Sequence, residues 1–331
     1  MTSDSSSPFH AEEVAIQQRL GVDVKMQEIG QKFIRDYMPD QHREFFAQIP
    51  FILLGAVDKH GQPWASILVG QPGFISSPNS KSLQIQSSLL LGDPLTDMLG
   101  VGVPIGLLGI ELPTRRRNRM NGVISNYDNM SFAVDVIQSF GNCNQYIQKR
   151  KPTFVDTHPE TSPIRIGQQL TASDRNLIGR ADTFFIASAN WNAEAHLRGV
   201  DVSHRGGRPG FVCVNADTLT IPDFSGNNFF NTLGNLLNYP QAGLLFIDFA
   251  TGDLLYLAVI AEIIWEEDEV AVFEGAERLV RFTIQEVRFV SGVLPFRWSE
   301  PELSPFLIRT GSWPHNLDCV ACEQKANSAG R

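Results

Sequence analysis

The spacing of hydrophobic and polar residues changes near Pro50. From Ala11 to Phe46 the apolar residues recur at broadly helical spacing, and the residues before Ala11 are polar and rich in serine. After Pro50 the apolar residues form short runs bounded by turn residues, which is typical of strands. The pattern therefore predicts a polar tail and helices over residues 1–48, followed by a mainly β chain.

A polar segment divides the β region into two units. The stretch from Lys149 to Pro163 is charged, contains proline and lacks apolar periodicity, which is typical of a linker. We therefore predict a first β unit at 49–148, a linker at 149–163, a second β unit at 164–312 and a tail at 313–331. The predicted strands are FILLGAV, PWASILVG, SLQIQ, IGLLGIEL, FAVDVIQSF, DTFFIASAN, GFVCVNADTLTI, AGLLFIDF, LLYLAVIAEIIW and RFTIQEVRFV. NFFNTLGNLLNYP has the pattern of a short amphipathic helix closed by Pro240.

The two β units carry the same motifs at a nearly constant distance. GQPGFI, SLQI and IGLLGI match GRPGFV, TLTI and AGLLFI at offsets of 137, 136 and 137 residues. Two unrelated β domains can share turn-and-strand patterns, but three motifs at one offset favour a duplicated domain. Two copies in one chain can dock as the subunits of a symmetric dimer do, and the cleft between them is a natural ligand site.

Composition restricts the class of protein further. Of the 331 residues, 43% are hydrophobic and 19% are charged, which is typical of a globular chain long enough for two domains. The net charge of −9 and the pI near 5.3 argue against broad nucleic-acid binding. Four cysteines, no secretory signal and no uncharged apolar span predict a cytoplasmic protein that does not cross a membrane.

Three segments of the second unit carry a resemblance to a known family. They are GVDVSHRGGRPGFV, LTIPDFSGNNFFNTLGNLLNYPQAGLLFIDF and GAERLVRFTIQEVRFV, which resemble the pyridoxamine 5′-phosphate oxidase-like FMN-binding split-barrel superfamily. The first unit, with PWASILVGQPGF, GLLGIELPTRRRNRMNG and QSFGNCNQYI, is similar to the companion barrel of tandem members. The resemblance implies a mainly β (α+β) fold of two tandem six-stranded split β-barrels with short helices. It also implies FMN bound where the units of this internal pseudo-dimer meet, and a homodimer is a further option.

The segment before the predicted helix has the chemistry of a phosphate site. Free N–H groups and the helix dipole favour an anion at a helix N-terminus, and side chains of the first turn can add donors. The candidate cofactor residues here are Ser225, Gly226, Asn227, Asn228, Asn231 and Thr232. The resemblance places the superfamily's phosphate-contacting pair on Asn231 and Thr232. That pair is basic in the oxidase itself, so this chain departs from the pattern.

Because the basic pair is absent, phosphate binding must depend on arginines elsewhere. Arg205 follows Ser203 and His204 at the end of the strand VDVSHR, and its guanidinium offers a fixed fork of donors. The alternative for His204 and Arg205 is a solvated turn. In the first unit, Arg117 and Arg119 belong to the run RRRNR, which forms either an anion site between the units or a solvated hairpin rim.

Together these residues predict an FMN-binding flavoprotein, and the resemblance implies a flavin-dependent oxidoreductase with a small-molecule substrate or a nicotinamide electron donor. No side chain is assigned as a catalytic acid or base, and no metal site is predicted. The alternatives are a flavin- or haem-binding protein without turnover and an enzyme that uses a deazaflavin in the same cleft. Asn142, Cys143 and Tyr146 are weaker cleft candidates, and Cys319 and Cys322 have redox or metal spacing without a second ligand pair.

Overall fold

The computed structural model describes residues 7–128, 130–157, 162–193 and 198–314. The described chain is mainly antiparallel β, which confirms the predicted mainly β class. Its α-helices are α1 (Ala11–Arg19), α2 (Asp23–Phe33), α3 (Asp40–Gln48), α4 (Ala172–Arg180), α5 (Asn231–Asn238) and α6 (Glu267–Val270). Three of them, α1 to α3, form the predicted N-terminal helical segment. None of the described helices is long and apolar enough to cross a membrane.

Two sheets contain most of the strands. The first sheet is built from β1 (Phe51–Val57), β2 (Pro63–Val69), β3 (Ile75–Asn79), β4 (Ser82–Ile85), β5 (Pro104–Glu111), β6 (Arg116–Tyr127) and β7 (Phe132–Gly141). After β8 (Pro152–Phe154), the second sheet is built from β9 (Ile164–Gly167), β10 (Thr183–Ala189), β11 (Val200–Gly206), β12 (Cys213–Asn215), β13 (Thr218–Phe224), β14 (Gln241–Ile247), β15 (Leu254–Ile264) and β16 (Ala276–Val290). The last strand, β17 (Phe296–Trp298), pairs with β8.

The two sheets have the same strand order. The first runs β2-β1-β5-β6-β7-β4-β3, and the second runs β11-β10-β14-β15-β16-β13-β12, with β9 paired to β16. Among the described residues, the pairing closes neither sheet into a ring. The prediction of six strands per unit is wrong, because the short hairpin strands β3 and β12 lengthen the sheets and β9 adds an eighth strand to the second.

The sheets pack against each other through β1, β2 and β5 of the first and β10, β11 and β14 of the second. In each sheet, a glycine allows the backbone of the other sheet to approach closely. A Cβ at Gly106 on β5 would lie 2.4 Å from the carbonyl oxygen of Val200, and one at Gly243 on β14 would lie 2.3 Å from that of Pro63. Gly106 and Gly243 hold equivalent places in the two sheets, as do Val200 and Pro63, so the contact is reciprocal like an isologous dimer interface.

The predicted linker carries secondary structure. Its residues Pro152–Phe154 form β8, which pairs with β17 after the end of the second sheet. Lys149 makes an isolated bridge with Glu302. These pairs fasten the start of the segment to the C-terminal part of the second unit, and residues 158–161 lie outside the described part of the chain.

Candidate functional site

A cleft lies where the two units meet. Strand β6 and the loop after β7 form one side, and β11, β13 and the segment leading into α5 form the other. All eleven residues predicted to bind the cofactor line this cleft: Arg117, Arg119, Ser203, His204, Arg205, Ser225, Gly226, Asn227, Asn228, Asn231 and Thr232. Its enclosed volume is about 140 Å³, and its mouth is open.

The segment Ser225–Phe230, called here the α5 loop, approaches the helix through strained backbone. Asn228 and Phe230 have φ angles of 59° and 60°, in the left-handed region that non-glycine residues seldom adopt. Such outliers persist where the surrounding structure fixes them, and they concentrate at functional sites. At the start of α5, Thr232 Oγ1 donates a hydrogen bond to Ser203 Oγ over 3.0 Å. The loop therefore has a defined shape that holds it against β11.

Arg119 links the two units inside the cleft. Its guanidinium forms an ion pair with Asp201 over 2.6 Å and donates to Ser203 Oγ. Only 3% of Arg119 is exposed, and Asn121 on the same strand also donates to Asp201 over 2.8 Å. The solvated-rim alternative is wrong for Arg119, because β6 turns its side chain into the contact between the units.

A second ion cluster lies along β13 and β16. Arg205 and Arg278 share the carboxylate of Asp223, with Arg278 Nε 2.9 Å from Asp223 Oδ2. Arg278 is 1% exposed and lies over the rings of Phe230 and Trp265 at 5.1 and 5.4 Å. The sequence analysis missed Arg278. A charged residue directly before the apolar pair Leu279-Val280, in register with Asp223 on the neighbouring strand, is the signal that could have identified it.

Arg117 differs from the other cleft arginines because no carboxylate of the described residues lies within ion-pair distance. Its Nε donates to the backbone carbonyl of Cys143. Burial, together with the nearby charges of Arg119 and Arg205, lowers the pKa of Arg117 to about 10. The side chain stays cationic at neutral pH, and an anion beside it would relieve the repulsion from the other arginines.

His204 is a neutral imidazole inside the cleft wall. The residue is 6% exposed, its ring packs edge-on against Phe185 at 5.8 Å, and Nε2 has no hydrogen-bond partner in the part of the chain that the structure describes. Burial, followed by the charges of Arg117 and Arg205, lowers the pKa of His204 well below its usual value. His204 therefore cannot supply positive charge for a ligand at neutral pH.

The loop after β7 gives the cleft an aromatic wall. Tyr146 lies 5.0 Å from Phe224 and 6.3 Å from Phe306 between ring centroids, and its φ of 61° is a third left-handed value at this site. Asn142 Oδ1 is buried and has no hydrogen-bond partner among the residues described. The three weaker candidates Asn142, Cys143 and Tyr146 thus all line the cleft. Cys319 and Cys322 lie outside the described residues.

Comparisons with known proteins found similar solved structures. A candidate pyridoxamine 5′-phosphate oxidase from Lactobacillus delbrueckii is 17% identical with a TM-score of 0.28, covering 37% of this chain and 94% of that one. An FMN-binding protein from Syntrophomonas wolfei is 15% identical with a TM-score of 0.24, covering 34% and 82%. HutZ, the haem storage protein from Vibrio cholerae, is 14% identical with a TM-score of 0.26, covering 38% and 96%.

Two other comparisons gave no match: neither a protein-family model nor a curated protein sequence matches the chain. The similar solved structures include candidate pyridoxamine 5′-phosphate oxidases and flavin-binding proteins.

Proposed function

We propose that the cleft between the two units binds FMN and that Arg117 holds its phosphate. The observation that carries the proposal is the unpaired guanidinium of Arg117 in a cleft lined by every predicted cofactor residue. Arg205, the stronger candidate from sequence, already has Asp223 as its partner, whereas the guanidinium of Arg117 contacts only a backbone carbonyl among the described residues. A phosphate would give Arg117 a charge-assisted, bidentate partner.

The rest of the cleft fits the other parts of FMN. The amide side chains of Asn227 and Asn228 and the hydroxyl of Ser225 suit a polar ribityl chain, and the rings of Tyr146 and Phe224 suit a flat aromatic system. Ligand pockets usually measure about 300–1,000 Å³. The enclosed volume of about 140 Å³ is smaller, so part of a flavin would lie in the open mouth.

The tandem split-barrel arrangement is part of the same proposal. It is supported by the identical strand order of the two sheets and by the reciprocal contacts of Gly106 and Gly243. Each unit would then be one split barrel, and the cleft would correspond to the site between two barrels. The equivalent cleft on the other side of the pseudo-dimer is filled, so one flavin per chain is expected.

Bound FMN would supply hydride and electron transfer, which no side chain of the cleft can perform. We propose a flavin-dependent oxidoreductase with a small-molecule substrate and a nicotinamide electron donor. The described cleft side chains bind and orient: Arg117 provides charge, Arg119 fixes Ser203 and Asp201, and the neutral His204 provides a polar edge without charge. A deazaflavin in the same cleft is the closest alternative, and mass analysis of the extracted cofactor separates the two.

Haem binding without turnover is the second candidate, because a neutral imidazole such as His204 is the form that ligates iron. Nε2 of His204 is buried, however, so iron could reach it only after the cleft wall moved. Flavin binding needs no such movement. Absorption spectra after incubation with FMN or haemin distinguish these candidates directly, and His204→Ala should abolish an iron–imidazole spectrum if haem is the ligand.

The test of the proposal is FMN affinity in Arg117→Gln, measured by quenching of flavin fluorescence. Loss of a charge-assisted phosphate contact costs about 1.5–3 kcal/mol, which weakens binding at least about tenfold. Arg116→Gln is the matched control, since the neighbouring Arg116 is exposed and lies against Phe45 on the other side of β6. Riboflavin, which lacks the phosphate, should bind both variants equally. Equal FMN affinity of the two variants would remove Arg117 from the phosphate site.

A further inference from the structure

Helix α1 supports the α5 loop from the side opposite the cleft. Gln17 Nε2 donates to the backbone carbonyls of Asn228 and Phe229, each over 3.4 Å. Asn231 Nδ2, in the first turn of α5, donates to Glu13 Oε1 over 2.5 Å. The residues that shape this end of the cleft are therefore held by side chains from more than 200 positions earlier in the chain.

Gly234 lets α5 approach α1 closely. A Cβ at Gly234 on α5 would lie 2.6 Å from Glu13 Cγ. His10, at the start of α1, has Nε2 3.1 Å from Asn235 Oδ1, and Asn235 Nδ2 donates to Asp201 over 2.8 Å. Since Asp201 also pairs with Arg119, a continuous set of hydrogen bonds connects α1 with the cleft.

Glu13 is the carboxyl group at the centre of this contact, and it is 4% exposed. The ionisable groups that face it are His10, at the N-cap of α1, and Asp201 from β11, while α5 contributes the amide of Asn231. Burial raises the pKa of Glu13 to about 7. Its charge state can therefore change within the physiological pH range.

We propose that Glu13 is a positioning residue for the cleft and that its carboxyl group is neutral when a phosphate-bearing ligand is bound. A phosphate held by Arg117 and a carboxylate in contact with Asn231 would repel each other across a poorly solvated region, because Arg117 and Asn231 line the same cleft. Binding of the anion therefore draws a proton onto Glu13, and Asn231 transmits the change because it lines the cleft and contacts Glu13. This inference rests on the proposed binding of FMN.

The experiment compares FMN affinity between pH 6 and pH 8 for the wild type, Glu13→Gln and Glu12→Gln. Glutamine imitates the neutral acid, so the wild type should lose roughly tenfold in affinity over this range relative to Glu13→Gln. The ratio of the two affinities at each pH cancels the effect of the titration of the FMN phosphate, which is the same for both proteins. Glu12→Gln, a charge-matched change on the same helix outside the cleft, should follow the wild type. Equal pH profiles for the wild type and Glu13→Gln would overturn the proposal.

A second measurement separates this inference from the FMN assignment. In urea unfolding of the ligand-free protein, the folded state holds a proton on Glu13 that the unfolded state releases. The folded-to-unfolded ratio of the wild type should therefore fall roughly tenfold more than that of Glu13→Gln between pH 6 and pH 8. If no variant binds FMN but this difference is found, the FMN assignment is wrong, whereas the conclusion that Glu13 is protonated in the folded protein is confirmed. If the difference is absent, Glu13 does not carry the proton and the inference fails by itself.

Discussion

The cleft and the position formed by the equivalent strands on the other side of the contact between the two sheets share a framework and differ in what fills it. In the cleft, Arg119 on β6 donates to Ser203 on β11. The corresponding strands place Tyr256 on β15 and Ser66 on β2, and both contact the carboxyl group of Asp93. Asp93 is 1% exposed, so this position is closed where the other is open.

The difference originates in the segment between two matching strands. Between β13 and β14 the chain forms the α5 loop and α5, whereas between β4 and β5 residues 86–103 contain no α-helix. That segment inserts Asp93 and Leu95 into the core of the first unit. A shared strand order therefore does not give two equal sites, because the connecting segment decides whether a ligand or the chain itself occupies the space.

The largest effect on stability is expected from substitutions in the reciprocal contact between the two sheets. Gly106→Val and Gly243→Val each drive a side chain into backbone atoms of the opposite unit, Val200 in one case and Pro63 in the other. Overpacking of a rigid contact costs about 1–3 kcal/mol and sometimes more. We expect each variant to lose about 3 kcal/mol or more of unfolding free energy in urea, by similar amounts.

Gly100→Ala is the control for these variants, because a Cβ at Gly100 meets no atom within 4 Å. It should unfold within about 0.5 kcal/mol of the wild type, as surface substitutions usually do. If Gly106→Val were tolerated while Gly243→Val was not, the reciprocal packing would not hold in solution, and the comparison of the two sides would lose its basis.

A smaller effect is expected from the buried acid of the closed position. Burial raises the pKa of Asp93 to about 6. Above the unfolded value near 3.9 and below 6, the folded state binds a proton that the unfolded state does not, so this stabilisation is lost as the pH rises through 6. Between pH 5 and pH 8 the free energy of unfolding, measured in urea, should fall by roughly 1–2 kcal/mol more for the wild type than for Asp93→Asn.

Asp97→Asn provides the control within the same segment, since Asp97 is exposed. It should reproduce the pH profile of the wild type. A profile of Asp93→Asn identical to that of the wild type would mean that Asp93 is ionised and hydrated, and that the closed position is accessible to water.

The sequence predicted those strands whose apolar residues form a continuous run. Strands β1, β5 and β14 are apolar runs bounded by turn residues, and the structure has them within one or two residues of the predicted limits. Strand β6 was missed because arginine and asparagine occupy most of its first half. Of these polar side chains Asn118 and Arg119 are buried, an environment that local composition does not reveal.

The site was predictable as far as its chemistry is local. The α5 loop was identified from the glycine and asparagines before a helix, and the structure places it at the cleft. Glu13 was not identified, because its contact with Asn231 spans 218 positions and leaves no pattern in the sequence around either residue. The sequence also does not show which arginines form ion pairs. The ion pair with Asp223 is the difference between Arg205 and Arg117.

The smallest effect is expected from Arg205→Ala. This substitution tests whether the ion pair with Asp223 makes Arg205 less important for FMN binding than Arg117. Arg205 shares Asp223 with Arg278, so after the substitution the carboxylate keeps one buried cationic partner and the cleft keeps Arg117. Removing a cation that is already paired takes little positive potential from a ligand, because the pair is nearly neutral. FMN affinity in a fluorescence titration should therefore fall only about two- to fivefold, less than about 1 kcal/mol. A loss as large as that of Arg117→Gln would mean that the ligand displaces Asp223 from Arg205, and the phosphate would then lie between the two arginines rather than on Arg117 alone.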